Sequence, residues 1–141
     1  MKQALLVLAG LVAGVFVSQT LSHPQEASAA SSPVYEMRTY YTLPGRLPAL
    51  QARFRNHTTK LFEKHGMKNI GYWVPQDAPK SENTLIYIIS HASRDAAKQN
   101  WDAFRNDPEW KKVAKESEAD GKIVEKVESV FMNPTDYSPI K

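Results

Sequence analysis

The stretch VYEMRTYY, residues 34–41, decides the reading of this chain. It is rich in aromatic and branched side chains, so it reads as a β-strand. Side chains on a strand alternate between two faces. Tyr35, Met37, Thr39 and Tyr41 therefore share one face, and Glu36, Arg38 and Tyr40 share the other with Val34. The more apolar set belongs against a core. Glu36 and Arg38 are then expected on the side away from any helices.

Working outward, TLPGRLP carries a Pro-Gly turn and a proline, Pro48, fit for the first turn of a helix. At 100° per residue, Leu47, Leu50, Phe54, His57, Leu61 and His65 fall on one stripe, with Arg53, Arg55, Lys60 and Lys64 outside it. Gly66 is the natural stop. NIGYWVP is a second strand, with Ile70, Tyr72 and Val74 on one face and Asn69, Gly71 and Trp73 on the other. TLIYIISH is apolar on both faces and reads as a buried strand. Ser93 caps a helix with the stripe Ala97, Trp101 and Phe104, and Asp107-Pro108-Glu109 restarts it. KIVEKVESVFM alternates as the last strand.

The order is β-α-β-β-α-α-β, the ferredoxin-like split βαβ arrangement of the α+β class. It implies a four-stranded, antiparallel-rich sheet with helices on one face. The other face carries residues such as Trp73, Ile86, Tyr87 and Ile88, too apolar to leave in water as a large patch. A second copy is the simplest cover, because closed two-fold homodimers are the commonest oligomers. In the space between two sheets, Glu36 and Arg38 would need partners. The candidates are each other, and Glu128 and Lys126 on the last strand, and Arg38–Glu128 fits one antiparallel register.

The chain has 141 residues, a net charge of +3 and no cysteine. Its basic and acidic residues interleave, unlike the clustered footprint of a nucleic-acid binder. Lys2, the apolar run at residues 4–17 and Ala27-Ser28-Ala29 read as a cleavable export signal over residues 1–29. The run is shorter than the ~20 residues of a membrane span. A periplasmic or secreted protein is expected, with no stable membrane association once the signal is removed. Residues 30–33 read as a linker, 34–132 as the domain and 133–141 as a tail.

Two separated motifs, VYEMRTYYTLPGRL and TLIYIISHASRDAAKQNWDAFRNDPEW, resemble the NIPSNAP family, in order and at the expected spacing. The ending TDYSP is similar to that of secreted bacterial members. The resemblance implies a dimeric α+β barrel, related to small cofactor-free monooxygenases, and no particular reaction.

Candidate ligand-binding residues are Glu36, Arg38, Tyr40, Trp73, Tyr87 and Glu128. Arg38 suits an anionic oxygen and Glu36 acid–base work, although both also suit a structural ion pair. No two of His57, His65 and His91 have metal-ligand spacing on one helix, and no metal or cofactor is expected. Phosphate loops, G-x-S-x-G, H-E-x-x-H and a cysteine nucleophile are missing. Three readings stay open: a small-molecule-binding homodimer, a cofactor-free oxygenase or isomerase, and a structural or protein-interaction module. The export reading has a direct test. Amino-terminal sequencing of the protein recovered from the exporting cell should begin at Ala30, and a chain still beginning at Met1 would refute cleavage.

Overall fold

The computed structural model describes residues 33–141, so the proposed signal and most of the linker lie outside the described residues. The strands are β1 (Val34–Thr42), β2 (Lys68–Trp73), β3 (Thr84–His91) and β4 (Val124–Met132). They form one antiparallel sheet in the order β2-β3-β1-β4. Helices α1 (Leu47–Arg53) and α2 (Thr59–Lys64) join through a π-helical turn, Phe54–Thr58. A short α3 (Lys80–Asn83) precedes β3, and α4 (Arg94–Asn106) and α5 (Pro108–Ser117) precede β4. This is the expected ferredoxin-like α+β fold. Among the described residues no helix is long and apolar enough to cross a membrane.

The core lies between the sheet and the helices. Tyr87 and Ile89 of β3 are fully buried there against Leu50, Phe54, Leu61, Phe62, Trp101 and Phe104. Its centre is a run of aromatic contacts: Phe54 meets Tyr40, Phe62, Tyr72 and Tyr87 with ring centroids 5.2–6.0 Å apart. Such edge and tilted pairs are the favoured geometries.

The π turn corrects the helical stripe. It adds a residue to one turn and so shifts the phase. Arg53 and Thr58 are buried and His57 is exposed, the reverse of a uniform 100° wheel. Thr58 and Thr59 hydroxyls donate to the Arg53 and Phe54 carbonyls and meet part of the demand left by the wider turn. A bulge between Asn69 and Gly71 likewise breaks the alternation in β2. Ile70 joins Ile88 on the helix-free face, while Asn69 and Tyr72 hydrogen-bond to each other on the helix side.

The helix boundaries follow from capping. Ser93 accepts from the Ala96 amide, and Asp107 accepts from the Glu109 amide at the break between α4 and α5. Gly66, at φ +75°, closes the α2 turn in the left-handed region that favours glycine. The Ser93 cap is measurable: Ser93→Ala should cost about 1 kcal/mol in urea denaturation and Ser93→Asp should retain most of the stability. Equal stability of both variants with the parent would show that the cap bond contributes nothing.

Candidate functional site

The opening strand lies the other way round from the expectation. Glu36, Arg38 and Tyr40 do share a face, but it is the face toward the helices. The register shows this: Arg38 pairs across from Tyr87 and Tyr40 from Leu85, both buried in the core. The apolar criterion misled because Tyr40 is the aromatic that enters the core, in edge contact with Phe54 and Tyr87. Tyr35, Met37, Thr39 and Tyr41 occupy the helix-free face instead.

Glu36 is 1% exposed and is the centre of a polar cluster. Its Oε1 accepts from Arg38 Nη1 at 2.7 Å and from the Ser129 hydroxyl at 2.6 Å. Its Oε2 accepts from Trp101 Nε1 at 2.6 Å and lies 3.1 Å from His91 Nε2. His91 is buried, and its Nδ1 lies 3.3 Å from Asn100 Nδ2. One tautomer satisfies both contacts: Nε2–H donates to Glu36 and Nδ1 accepts from Asn100. Burial pushes the Glu36 carboxyl up, but the bonds from His91, Ser129, Trp101 and Arg38 together outweigh it and hold it down at about 2. Glu36 is thus an ionised anchor at neutral pH, not an acid or base poised to exchange protons.

Arg38 is what the anchor positions. Its guanidinium lies 4.3 Å from the centroid of the Trp101 ring, and its side chain remains partly exposed. Its Nε makes no hydrogen bond among the described residues, and neither does the buried Tyr87 hydroxyl beside it. Burial pushes the Tyr87 phenol well above its ordinary range.

The other expected site residues are elsewhere. Glu128 stands across β1 from Thr39, on the helix-free face, where it accepts from Tyr41 and Lys126. It does not pair with Arg38, whose register partner on β4 is Ser129. Trp73 is also on the helix-free face, half exposed, with its ring lying over Gly71. Four of the six candidates therefore gather on the helix side and two do not. Sequence reasoning missed His91, Trp101 and Ser129 as partners of Glu36. Trp101 carried the one available signal, an indole N–H that needs an acceptor when buried.

The helices leave one part of this face uncovered. Val127 and Ser129, on the helix-facing flank of β4, are exposed, and Phe131 is half-buried. A trench of about 350 Å³ runs between α4 and β4, lined by Arg94, Asp95, Lys98, Trp101, Arg105 and Phe131. A second, mainly apolar depression of about 280 Å³ lies on the helix-free face, where the tail residues Pro134 and Ile140 meet Tyr35, Ile70, Ile88 and Met132. Among the described residues no group of three or more His, Cys, Asp or Glu could hold a metal ion.

Strand order, crossovers and one-sided helices define an α+β protein of the ferredoxin-like type. The chain belongs to the NIPSNAP family, whose model matches residues 35–139. A NIPSNAP family protein of unknown function from Agrobacterium tumefaciens has a similar structure, with a TM-score of 0.68 and 23% identity over 79% of this chain and 96% of that one. A NIPSNAP-like domain protein from Burkholderia xenovorans gives 0.66 and 15%, over 77% and 90%. SnoaB, a cofactor-independent oxygenase from Streptomyces nogalater, gives 0.50 and 13%, over 77% and 98%. Nothing among curated proteins matches the chain significantly.

The cluster makes an unequal prediction for its two charged members. Glu36→Gln should cost about 3–5 kcal/mol, because it replaces one of two buried acceptor oxygens with an NH2 that faces donors and leaves Arg38 without its counter-ion. Arg38→Met should cost clearly less, because three donors to Glu36 remain. The acid limb of stability should change as well. A carboxyl held at about 2 instead of its ordinary 4.5 adds stability that is full above pH ~4.5 and is lost as the pH falls toward 2. On the order of 3 kcal/mol of that pH dependence should vanish in Glu36→Gln. Parallel acid limbs for parent and variant would refute the buried, four-donor carboxylate.

Proposed function

We propose that this chain is exported and acts as a homodimer that binds a small, partly apolar or aromatic molecule. The ligand site is the trench between α4 and β4 rather than the space between two sheets. The observation that carries this reading is Arg38, held by a buried Glu36 against the Trp101 ring beside the uncovered flank of β4. A guanidinium fixed by a buried carboxylate, still partly exposed and next to an aromatic wall, suits a planar molecule with an acceptor oxygen. The homodimer rests on the helix-free face. Trp73, Val130 and Ile140 are about half exposed there, Ile140 borders the depression, and the helices among the described residues leave this face bare.

A second reading is a cofactor-free oxygenase, favoured by the fold likeness to SnoaB. In that case Arg38 would stabilise the negative charge developing on an enolised substrate. Glu36 would not be the base, since its ionised form is held by four donors. Asp95, a carboxylate lining the trench, would be the group placed to receive a proton.

Native mass spectrometry of the purified protein tests the proposal in one measurement. The expected spectrum shows a dimer that retains a small molecule, and Arg38→Met should keep the dimer and lose the added mass. A ligand-free monomer, or a ligand retained undiminished by Arg38→Met, would overturn it. If the recovered molecule gains the mass of oxygen when incubated with the protein in air, the second reading replaces simple binding.

A further inference from the structure

We infer that the molecule taken by the α4–β4 trench is an organic anion with a flat, conjugated body, such as an aromatic carboxylate or sulfonate. The inference rests on the trench being the ligand site and adds the chemical class.

Charge is the first argument. The trench lining holds three cations, Arg94, Lys98 and Arg105, and one carboxylate, Asp95. Arg105 is bridged to Asp102 at 2.6 Å. Arg94 and Lys98 form no ion pair among the described residues, although Asp95 lies on the same helix. They stand one turn apart on α4, in a stripe with Trp101 and Arg105 that faces β4. Arg38, farther in, is balanced by Glu36 and adds a directed donor rather than net charge. A neutral ligand would leave the two rim cations unused, and a cation would be repelled by them.

Shape is the second argument. One guanidinium that lines the trench and one that lies against its Trp101 wall are each laid on an aromatic ring. Arg38 lies 4.3 Å from the Trp101 centroid and Arg94 lies 3.2 Å from the Phe131 centroid. Stacking orients a planar fork and leaves its N–H edge available, and an oriented fork matches the two oxygens of a carboxylate. Both rings also line the cavity. The volume of about 350 Å³ sits at the small end of ligand pockets, so the body should be one or two rings. Rim cations would take the acidic group, and the walls of Trp101 and Phe131 the flat body.

A matched pair of probes separates the class from the site. 2-Naphthoate and 2-naphthamide share size and shape and differ in charge. Titration calorimetry on the purified full chain at low salt should show 2-naphthoate binding at least about tenfold more tightly than the amide, the margin of a charge-assisted contact. The margin should fall to about twofold in the double variant R94Q/K98Q and shrink with added salt in the parent. Both positions are exposed, so the melting temperature of the variant should match the parent. Equal affinity of the two probes would overturn the anionic class while the trench remains a ligand site. A margin over the amide that stays near tenfold in R94Q/K98Q would overturn the assignment of its charge to the rim. If neither probe changes the fluorescence of Trp101, read in a variant with Trp73 and Trp110 replaced by Phe, the trench itself is not the site and both readings fall.

Discussion

One carboxylate organises this molecule. Glu36 is buried, so its charge must be met by hydrogen bonds or the fold loses several kcal/mol. The four groups that meet it come from four elements: Arg38 on β1 itself, His91 at the end of β3, Trp101 on α4 and Ser129 on β4. The central strand is thereby joined by side chains to both neighbouring strands and to the helix above. The network continues outward. Asn100, one residue before Trp101, contacts His91 and donates to the Gly66 carbonyl at the end of α2. The height and rotation of α4 over the sheet are set by these bonds as much as by apolar packing.

Buried ion pairs are weak evidence for stability, because well-packed apolar residues of similar volume often do as well or better. What an apolar replacement could not supply here is direction. A guanidinium fixed by a carboxylate on one side and by an indole face on another has few rotamers left. Its partly exposed edge therefore stays aimed. Preorganised donors cost little to reorganise when a ligand arrives. The depressed pKa of Glu36 belongs to this role. A carboxyl ionised at all physiological pH values is a constant anchor, and that same constancy makes it a poor proton carrier.

The parts of this structure legible in the sequence were those governed by local rules. Period, capping and turn chemistry placed the four strands, the Ser93 and Asp107 caps and the Gly66 stop. Alternation correctly grouped Glu36, Arg38 and Tyr40. It could not say which face the group occupies, because that depends on contacts across the sheet. The burial rule favoured Tyr35 and Met37 for the core, but Tyr40 fits among Phe54 and Tyr87, and Glu36 finds the Trp101 indole. Strand register is a long-range property, so Ser129 rather than Glu128 as the β4 partner was not readable from either strand alone. The π turn at Phe54–Thr58 and the bulge at Asn69 each insert a residue into a regular period, and neither leaves a signature in composition.

The position of the trench follows from the break between α4 and α5. A single straight helix leaving Arg94 would run on past the sheet. Instead Asp107 ends α4, caps α5 and is clamped by Lys64 and His65 at the end of α2. Lys64 and His65 hold its carboxyl well below the usual range, so the clamp stays charged. From that pivot α5 turns back over α1, where Arg53 reaches Glu118 and lies beside Trp110, and Arg46 grips Asp120 in the loop that follows. The helical layer is thus gathered over β2, β3 and β1, and no helix among the described residues is left to cover β4. The helix-facing flank of that strand, with Val127, Ser129 and Phe131, stays open as a consequence of where one aspartate stops one helix. The Glu36 cluster then decides what stands at its edge: an oriented arginine against an indole wall, within reach of the cations of α4.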